Sequence, residues 1–336
     1  MNQTTRVSPV LDKVQDVLRL AYQHHQPNQA LPAFFDATLQ LSVSNLDYWE
    51  RAFRNEIELA NQPRYLFGFK IPQIRKERDL IPWLDCCSGD GYQREQALEA
   101  LSYESGAPNS FLLALLIRRL NDWVPEVRTA AREHIPKIAE RSESQVVTDA
   151  LWGVLPNLHT WGRLQIEEMN EIVNLLGIQD VLRQLSENLI QMTAGPAPSI
   201  LEQAGRQPAI DEFLPEIAER AIQPAVRAKA YKSQLAGYAT WLTGYRWVWT
   251  DKRYGYRKRE PAVGRRKVNA RRPHLEILDR AARDRSPLVR RVAGDELIAH
   301  LDKIGVEGEA IAQRLAKDAY PSIAERGVFA LKHIKN

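Results

Sequence analysis

A ten-residue pattern, D-x-x-P-x-V-R-x-x-A, recurs along this chain of 336 residues and limits the folds that it can adopt. Four copies occur: "DWVPEVRTAA" from Asp122, "AIQPAVRAKA" from Ala221, "DRSPLVRRVA" from Asp284 and "DAYPSIAERG" from Asp318. A weak fifth copy, "SGDGYQREQA", places Arg94 where Arg128 falls in the first copy, 34 residues later. Recurrence at a fixed period of this size indicates a repeat architecture in which each unit is one supersecondary structure.

Each position of the pattern has a physical reason. Proline is tolerated in the first turn of a helix, where its missing N–H would have no partner. Aspartate three residues earlier lies in the turn that follows the preceding helix, where its carboxylate can accept hydrogen bonds from the backbone or from arginine. Valine and alanine four residues apart place small apolar groups on one helix face, so that the next unit can approach closely. The pattern therefore predicts helical hairpins, each a helix, a D-x-x-P turn and a second helix.

This pattern resembles HEAT repeats. The residues that carry the resemblance are Asp122, Pro125, Val127, Arg128 and Ala131; Pro224, Val226, Arg227 and Ala230; and Asp284, Pro287, Val289, Arg290 and Ala293.

The resemblance implies an all-α fold, a right-handed HEAT-like α-solenoid of helical hairpins. In that family the turn aspartate and the helix arginine pair between successive repeats as an inner ladder. This implies a structural role for Asp122 with Arg128 and for Asp284 with Arg290. Ala324 replaces the arginine in the last copy, as in a capping repeat, and Ala221 replaces the aspartate in the second. The resemblance covers about residues 86–140 and 209–336. Elsewhere the prediction of repeats rests on helical periodicity alone.

Repeat spacing also predicts the organisation of the chain. Arg227 and Arg290 are 63 residues apart, about 30 more than one unit, so an insertion lies between two repeats. The periodicity predicts helices over 224–242 and 274–283 on its two sides and leaves 194–208 without one. The predicted regions are an N-terminal helical region (1–80), HEAT-like repeats (81–243), a basic aromatic insertion (244–273) and C-terminal HEAT-like repeats (274–336).

The insertion, "GYRWVWTDKRYGYRKREPAVGRRKVNARR" over 244–272, contains most of the excess positive charge. It has eleven Lys or Arg against two acids, a net charge of +9, whereas the whole chain carries +4, so the remainder carries −5. A local cluster of cations on an otherwise mildly acidic chain indicates a localised anionic partner.

Nucleic acid is the predicted partner of this insertion, because lysine and arginine neutralise phosphates and aromatic rings stack on exposed bases. The period-two pattern of "WVWTDKRYGY" is compatible with a short β-hairpin. An acidic protein, a membrane surface, and a solvated or self-packing loop are the alternatives. The predicted nucleic-acid-binding residues are Arg246, Trp247, Trp249, Lys252, Arg253, Tyr254, Tyr256, Arg257, Lys258, Arg259, Arg265, Arg266, Lys267, Arg271 and Arg272.

Catalysis finds less support in the sequence. HEAT-like arrays include alkylpurine DNA glycosylases, and Trp152, Trp161, Glu167 and Glu168 fall near the middle of the predicted array. Trp152 follows an apolar helix pattern typical of core residues, and no further match to that family occurs. No phosphate-binding, metal-ligand or nucleophile motif is present. We therefore predict no catalytic residues, no metal and no cofactor.

The composition, with 44% hydrophobic and 26% charged residues, is that of a soluble protein. The only cysteines, Cys86 and Cys87, are neighbours without a CxxC pattern, and the longest apolar run, "FLLALLI", is too short to span a bilayer. The N-terminus lacks the layout of a secretory signal. The sequence thus predicts a cytoplasmic, non-catalytic protein that binds DNA or RNA as a subunit of a larger complex. A protein-interaction scaffold with an acidic partner and a HEAT-like DNA glycosylase are the alternatives.

Overall fold

The computed structural model describes residues 8–24, 26–61, 65–66, 69–70 and 80–334. The chain is mostly helical, as the sequence predicts, and it divides into two compact units. The first comprises residues 1–154 and 161–175, and the second comprises 155–160 and 176–336. Part of the predicted N-terminal region, 1–80, lies outside the described residues.

The first unit has its core around a wholly apolar helix. All side chains of residues 111–117, the "FLLALLI" run, are buried there. No helix in the described part of the chain is long and apolar enough to cross a membrane. The elements of this unit are α1 (Pro9–His24), α2 (Leu31–Leu39), α3 (Leu46–Asn61), β1 (Tyr65–Leu66), β2 (Phe69–Lys70), α4 (Pro82–Asp85), α5 (Gly91–Leu101), α6 (Ser110–Ile117), α7 (Pro125–Glu140), α8 (Ser144–Val154) and α9 (Ile166–Leu176).

The second unit combines helical pairs with one long β-hairpin. Helix α13 packs against α12, α11 and α15, and the hairpin follows α13 directly. Its elements are α10 (Gln179–Gln191), α11 (Ala197–Ala204), α12 (Leu214–Arg220), α13 (Pro224–Ala236), β3 (Tyr238–Asp251), β4 (Tyr256–Lys267), α14 (His274–Ala282), α15 (Pro287–Ala299), α16 (Leu301–Ile304), α17 (Glu309–Ala316) and α18 (Pro321–Ile334).

The prolines of the recurring pattern begin helices, as predicted. Pro125, Pro224, Pro287 and Pro321 are the first residues of α7, α13, α15 and α18. In the second unit, α13 packs against α12, α15 against α14, and α18 against α17. The helical hairpin predicted from the pattern is therefore present at these positions.

A bidentate pair joins the arginine of one copy to the aspartate of the next. Arg94 donates to Asp122 at 2.9 and 2.7 Å. Arg290 binds Asp318 in the same way, at 2.5 and 3.1 Å. The same arginines donate through Nη1 to the backbone carbonyls six and five residues earlier, at 2.8 and 3.1 Å respectively for Arg94.

Within one copy of the pattern, the carboxylates of Asp122 and Asp284 do not pair with the guanidinium groups of Arg128 and Arg290. Arg128 and Arg290 donate instead to the backbone carbonyls of these aspartates, at 2.9 and 3.0 Å. The Asp284 carboxylate is bound by Arg227, at 2.8 and 2.9 Å. Each arginine folds back so that Nη1 contacts the carbonyls of the turn before its own helix. Its Nε and Nη2 atoms are then left to bind the aspartate of the next copy.

Two helix predictions next to the insertion also differ from the structure. Helix α13 ends at Ala236 and not at residue 242, because Gly237 adopts a left-handed conformation (φ 72°) that terminates the helix. Helix α11 forms where no helix was predicted. Its prolines, Pro196 and Pro198, occupy the N-cap and the first turn, where proline is compatible with a helix.

Candidate functional site

Most of the basic insertion belongs to a β-hairpin formed by β3 and β4. The two strands pair antiparallel from Tyr238 opposite Lys267 to Asp251 opposite Tyr256. The Asp251 carboxylate accepts hydrogen bonds from the backbone N–H groups of Arg253 and Tyr254, at 2.8 and 3.3 Å, and so stabilises the connecting turn. The hairpin is therefore longer than the short one suggested by the sequence.

The register assigns each side chain to one of two faces. Two bulges, between Leu242 and Gly244 and between Trp249 and Asp251, add residues to β3 only, so alternation along β4 is unbroken. Directly opposed residues share a face. One face, here called the ladder face, carries Arg257, Arg259, Pro261, Val263, Arg265 and Lys267 from β4 and Tyr238, Thr240, Leu242, Tyr245, Trp247 and Trp249 from β3.

Aromatic rings and guanidinium groups alternate along the ladder face. The Cζ atom of Arg257 lies 4.5 Å from the centroid of the Trp247 ring, and that of Arg259 lies 4.5 Å from the Tyr245 ring. The order along the face is thus Trp249, Arg257, Trp247, Arg259 and Tyr245. Each such contact contributes about 0.5–1 kcal/mol at an exposed site, which orients the side chains without covering them.

The rings of the ladder face remain open to solvent. Tyr245, Trp247 and Trp249 are 49%, 58% and 52% exposed. Near the tip, Tyr254 and Tyr256 are each 65% exposed, and their rings stack with centroids 6.2 Å apart. Large apolar side chains exposed in one row mark a surface that can bind a partner.

The cations of the ladder face have few acidic neighbours. Among the described residues, no carboxylate lies within 4 Å of the charged groups of Arg257, Arg259, Arg265 or Lys267. Arg265 contacts the Tyr238 ring, with its Cζ 5.3 Å from the centroid. These charges are therefore available to an anionic ligand.

The opposite face of the distal hairpin is more neutral. Lys258 and Glu260 form an ion pair at 2.9 Å, and Arg246 lies opposite Glu260 in the register. The hydrogen bond and positive charge of Lys258 lower the pKa of Glu260. Lys252 and Arg253 lie in the turn, where Arg253 contacts the Tyr254 ring.

Arg266 attaches the root of the hairpin, which comprises residues 238–242 and 263–267, to the helices. Its guanidinium donates to both oxygens of Asp211, at 3.0 and 2.7 Å, and to the carbonyls of Gly205 and Gln207, at 2.6 and 2.9 Å. With these partners, Arg266 serves as an anchor, in contrast to its predicted role in binding nucleic acid.

Arg271 and Arg272 also have acidic partners. Arg271 pairs with Glu212 and Arg272 pairs with Glu219, which Arg280 also contacts at 2.9 Å. The predicted binding set therefore includes ladder-face cations without acidic partners and three arginines, Arg266, Arg271 and Arg272, that pair with carboxylates of residues 211–219.

Trp241 fixes the root from the other side of the sheet. Its ring lies across Gly264, where an added Cβ would come within 2.3 Å of Nε1, so the position requires glycine. Arg206 lies over the same ring, 4.9 Å from its centroid, and burial lowers the pKa of Arg206 to about 10. Gln203 of α11 donates to the carbonyl of Leu242 at 2.9 Å. These contacts hold the start of β3 against the helices.

Sequence reasoning missed Tyr238 and Tyr245 as members of the exposed row. The period-two alternation of Trp249 and Trp247 reaches Tyr245, but the bulge between Leu242 and Gly244 breaks it before Tyr238. Tyr238 also lies within the predicted helix over 224–242, so only Tyr245 carried this signal in the sequence.

The residues considered for a glycosylase differ in their burial and contacts. Glu168 is buried, lies 3.8 and 3.5 Å from the guanidinium groups of Arg128 and Arg132, and accepts the backbone N–H of Gln165 at 3.0 Å. Trp161 is 8% exposed and Trp152 is half-buried.

Glu167 is exposed and does not take part in the contacts of Glu168 with Arg128 and Arg132. The described residues contain no cluster of three or more His, Cys, Asp or Glu that could hold a metal ion.

Comparison with known proteins gives no family assignment. No protein-family model matches the chain, and no curated protein sequence matches it. A crystal structure of an engineered protein aligns over 96% of this chain and 96% of its own, with 13% sequence identity and a TM-score of 0.21. A score of this size does not show a shared fold.

Proposed function

We propose that this protein binds nucleic acid through the ladder face of its β-hairpin and acts as a non-catalytic component of a larger complex. The observation that carries the proposal is the exposed alternation of Trp249, Arg257, Trp247, Arg259 and Tyr245. Guanidinium groups neutralise phosphates, and the neighbouring rings supply stacking surfaces for bases.

Single strands suit this surface better than a duplex. Base–aromatic stacking contributes about 1–3 kcal/mol per base, but it requires bases that are not already stacked in a helix. A two-stranded β-ribbon also fits the major groove of a duplex, where polar side chains read the base edges. The distal ladder face carries tryptophan, tyrosine and arginine and no Asn or Gln. We therefore propose sequence-independent binding of single-stranded DNA or RNA.

The helical part supports a second proposal, that the helical pairs are HEAT-like repeats. The supporting observation is that the same arginine–aspartate arrangement occurs three times. Arg94, Arg227 and Arg290 each bind the next aspartate of the pattern with Nε and Nη2 and two backbone carbonyls with Nη1. Asp318 keeps the acceptor role although Ala324 replaces the donor, as expected of a last repeat. A right-handed solenoid remains the prediction from the sequence.

An acidic protein partner is the second candidate for the hairpin. The sheet formed by β3 and β4 has only two strands within the described residues, so each strand has an outer edge without a paired strand. Such an edge can accept an added strand from a peptide, and the cations would favour an acidic one. In that case stacking on Trp247 and Trp249 would not be required for binding.

Fluorescence anisotropy with a labelled 20-nucleotide strand and the matching duplex, at 50 and 200 mM salt, tests the proposal. We expect tighter binding of the single strand. If five phosphates are contacted, the salt change weakens its binding about 100-fold.

The variant Trp247→Ala with Trp249→Ala tests the contribution of the rings, and Arg257→Ala with Arg259→Ala tests that of the charges. Both should weaken binding. Arg285→Ala with Arg291→Ala is the control, since it removes two arginines outside the hairpin. Equal affinity of the wild type and both hairpin variants would refute the proposal. Loss with the arginine variant alone would favour the acidic-partner mode.

A further inference from the structure

A cleft of about 260 Å³ lies at the root of the hairpin, within the second unit. Its walls come from the last turns of α11, from one side of α13, and from the first residues of β3 together with the end of β4. The volume is just below the range of about 300–1,000 Å³ that is typical of sites for drug-sized ligands. A ligand of this cleft is therefore small, of the order of a single nucleotide.

Positive charge dominates the polar lining of the cleft. Lys229, Lys232 and Arg265 line it together with one carboxylate, that of Glu202, which forms an ion pair with Lys229. The lining thus carries a net charge of +2. A phosphate monoester carries a charge of about −1.5 to −2 at pH 7 and offers three acceptor oxygens, so its charge and hydrogen-bonding capacity match those of the lining.

The remaining lining suits the apolar part of a nucleotide. Leu201, Ile210 and Leu214 contribute aliphatic side chains, and the Tyr238 ring lies at the cleft. The Ser233 and Thr240 hydroxyls add groups that can bind a sugar or a phosphate. This combination of a few polar groups with an apolar wall is typical of small-molecule sites.

The ladder face leads into this cleft. Tyr238, Thr240 and Arg265 belong to the ladder face by their register and also line the cleft. A strand lying along Trp249, Trp247 and Tyr245 would therefore reach the cleft at the root of the hairpin.

The root is also held firmly in place. Arg266, on the opposite face, binds Asp211 and the Gly205 carbonyl. Gly205 lies so close to Ala239 that an added Cβ would come within 3.3 Å of the Ala239 Cβ. The walls supplied by α11 and β3 are therefore fixed before a ligand arrives.

We infer that this cleft binds the terminal phosphate of a nucleic acid strand, with the attached nucleotide against its apolar wall. This inference rests on the proposed function, because the same strand lies along the ladder face. A free nucleoside monophosphate presents the same chemistry, and the experiment separates the two sources.

The test compares three labelled strands of one sequence, which carry a 5′-phosphate, a 3′-phosphate or hydroxyl groups at both ends, in anisotropy titrations with the full-length protein. Hydrogen bonds to a charged group predict that one of the two phosphorylated strands binds about tenfold more tightly than the hydroxyl strand. Unlabelled thymidine monophosphate as competitor should reduce this preference only at concentrations well above those of the phosphorylated strand.

Variants separate the cleft from the ladder. Lys232→Ala should lower the ratio of the Kd of the hydroxyl strand to the Kd of the preferred phosphorylated strand from about ten to about one, because it removes a cation of the cleft. Trp247→Ala should weaken binding of the hydroxyl strand and of the preferred phosphorylated strand and preserve this ratio. Lys332→Ala, which removes an exposed lysine of α18, is the control and should preserve both affinity and ratio.

Each outcome either supports or overturns the inference that the cleft binds a terminal phosphate. Equal Kd values for all three strands overturn the cleft inference and leave the proposed function standing. A phosphate preference that Lys232→Ala does not reduce also overturns it, because the phosphate would then bind elsewhere. Competition by thymidine monophosphate at the same concentration as the strand would assign the cleft to free nucleotides. Absence of binding by every strand refutes both the proposed function and this inference.

Discussion

The guanidinium carbon of Arg257 lies 4.5 Å from the centre of the Trp247 ring, although the register places Arg257 directly opposite Trp249. Arg259 has the same offset, since it lies opposite Trp247 and contacts Tyr245. The diagonal contacts interleave rings and charges, and a ligand on this face would meet both at once.

Arg257→Lys should separate stacking from charge. Lysine keeps the positive charge but lacks the planar guanidinium that lies on the ring. We expect the affinity for a single strand to fall about threefold with little change in its salt dependence, since one cation–π contact contributes about 0.5–1 kcal/mol. Arg257→Ala should in addition reduce the slope of log K against log salt by about 0.7.

Salt titrations by anisotropy provide this measurement, with Arg285→Lys as the control outside the hairpin. If the lysine and alanine variants of Arg257 had the same affinity and the same slope, the charge at this position would not contribute to binding.

Asp211→Ala should weaken nucleic acid binding even though it removes a negative charge. Asp211 receives two hydrogen bonds from Arg266 and one, at 2.9 Å, from the backbone N–H of Asn269. Removing one partner of a largely buried pair destabilises its surroundings because the other charge stays behind, so we expect faster amide hydrogen exchange in the hairpin root. Glu212→Ala is the control, because its partner Arg271 is exposed. Tighter binding by the Asp211 variant would show that net charge outweighs the anchor.

Arg227→Ala should destabilise the second unit more than Arg290→Ala. The two arginines make equivalent hydrogen bonds, but the Arg227 side chain is 1% exposed and that of Arg290 is 18% exposed. Loss of one partner of a fully buried pair costs about 3–5 kcal/mol, and solvent reduces the cost for the more exposed pair. Urea unfolding followed by hydrogen exchange would measure both, and equal losses would contradict the dependence on burial.

Stability of the first unit should fall in acid through Glu50. Burial would raise the pKa of Glu50, but the charges of Arg119, Arg118 and Arg54 outweigh this effect and lower it to about 2. Because the pKa is lower in the folded state, the stabilisation is fully present above the unfolded pKa and is lost as the pH falls towards 2. The difference corresponds to about 3 kcal/mol.

Urea unfolding of the wild type and of Glu50→Gln at pH 7, 4 and 2.5 would measure this contribution. The stability of the variant should depend less on pH over that range. Parallel pH profiles for the two proteins would exclude Glu50 as the source of the acid sensitivity.

The helical hairpins and the location of the charge follow from local features of the amino-acid sequence. Proline in the first turn of a helix and a turn aspartate before it are local rules, so Pro125, Pro224, Pro287 and Pro321 begin helices as predicted. The concentration of cations over 244–272 is likewise a property of composition alone.

Which of those cations lack an acidic partner depends instead on long-range packing. Arg265 and Arg266 are neighbours in the sequence, yet the alternation of β4 sends Arg265 to the ladder face and Arg266 to Asp211, 55 residues away. The partner of each arginine in the repeated pattern was decided in the same way, since Arg94 and Asp122 meet only when successive helical pairs pack. Local rules predict where a helix begins, whereas the partner of a long charged side chain depends on which distant segment the fold brings beside it.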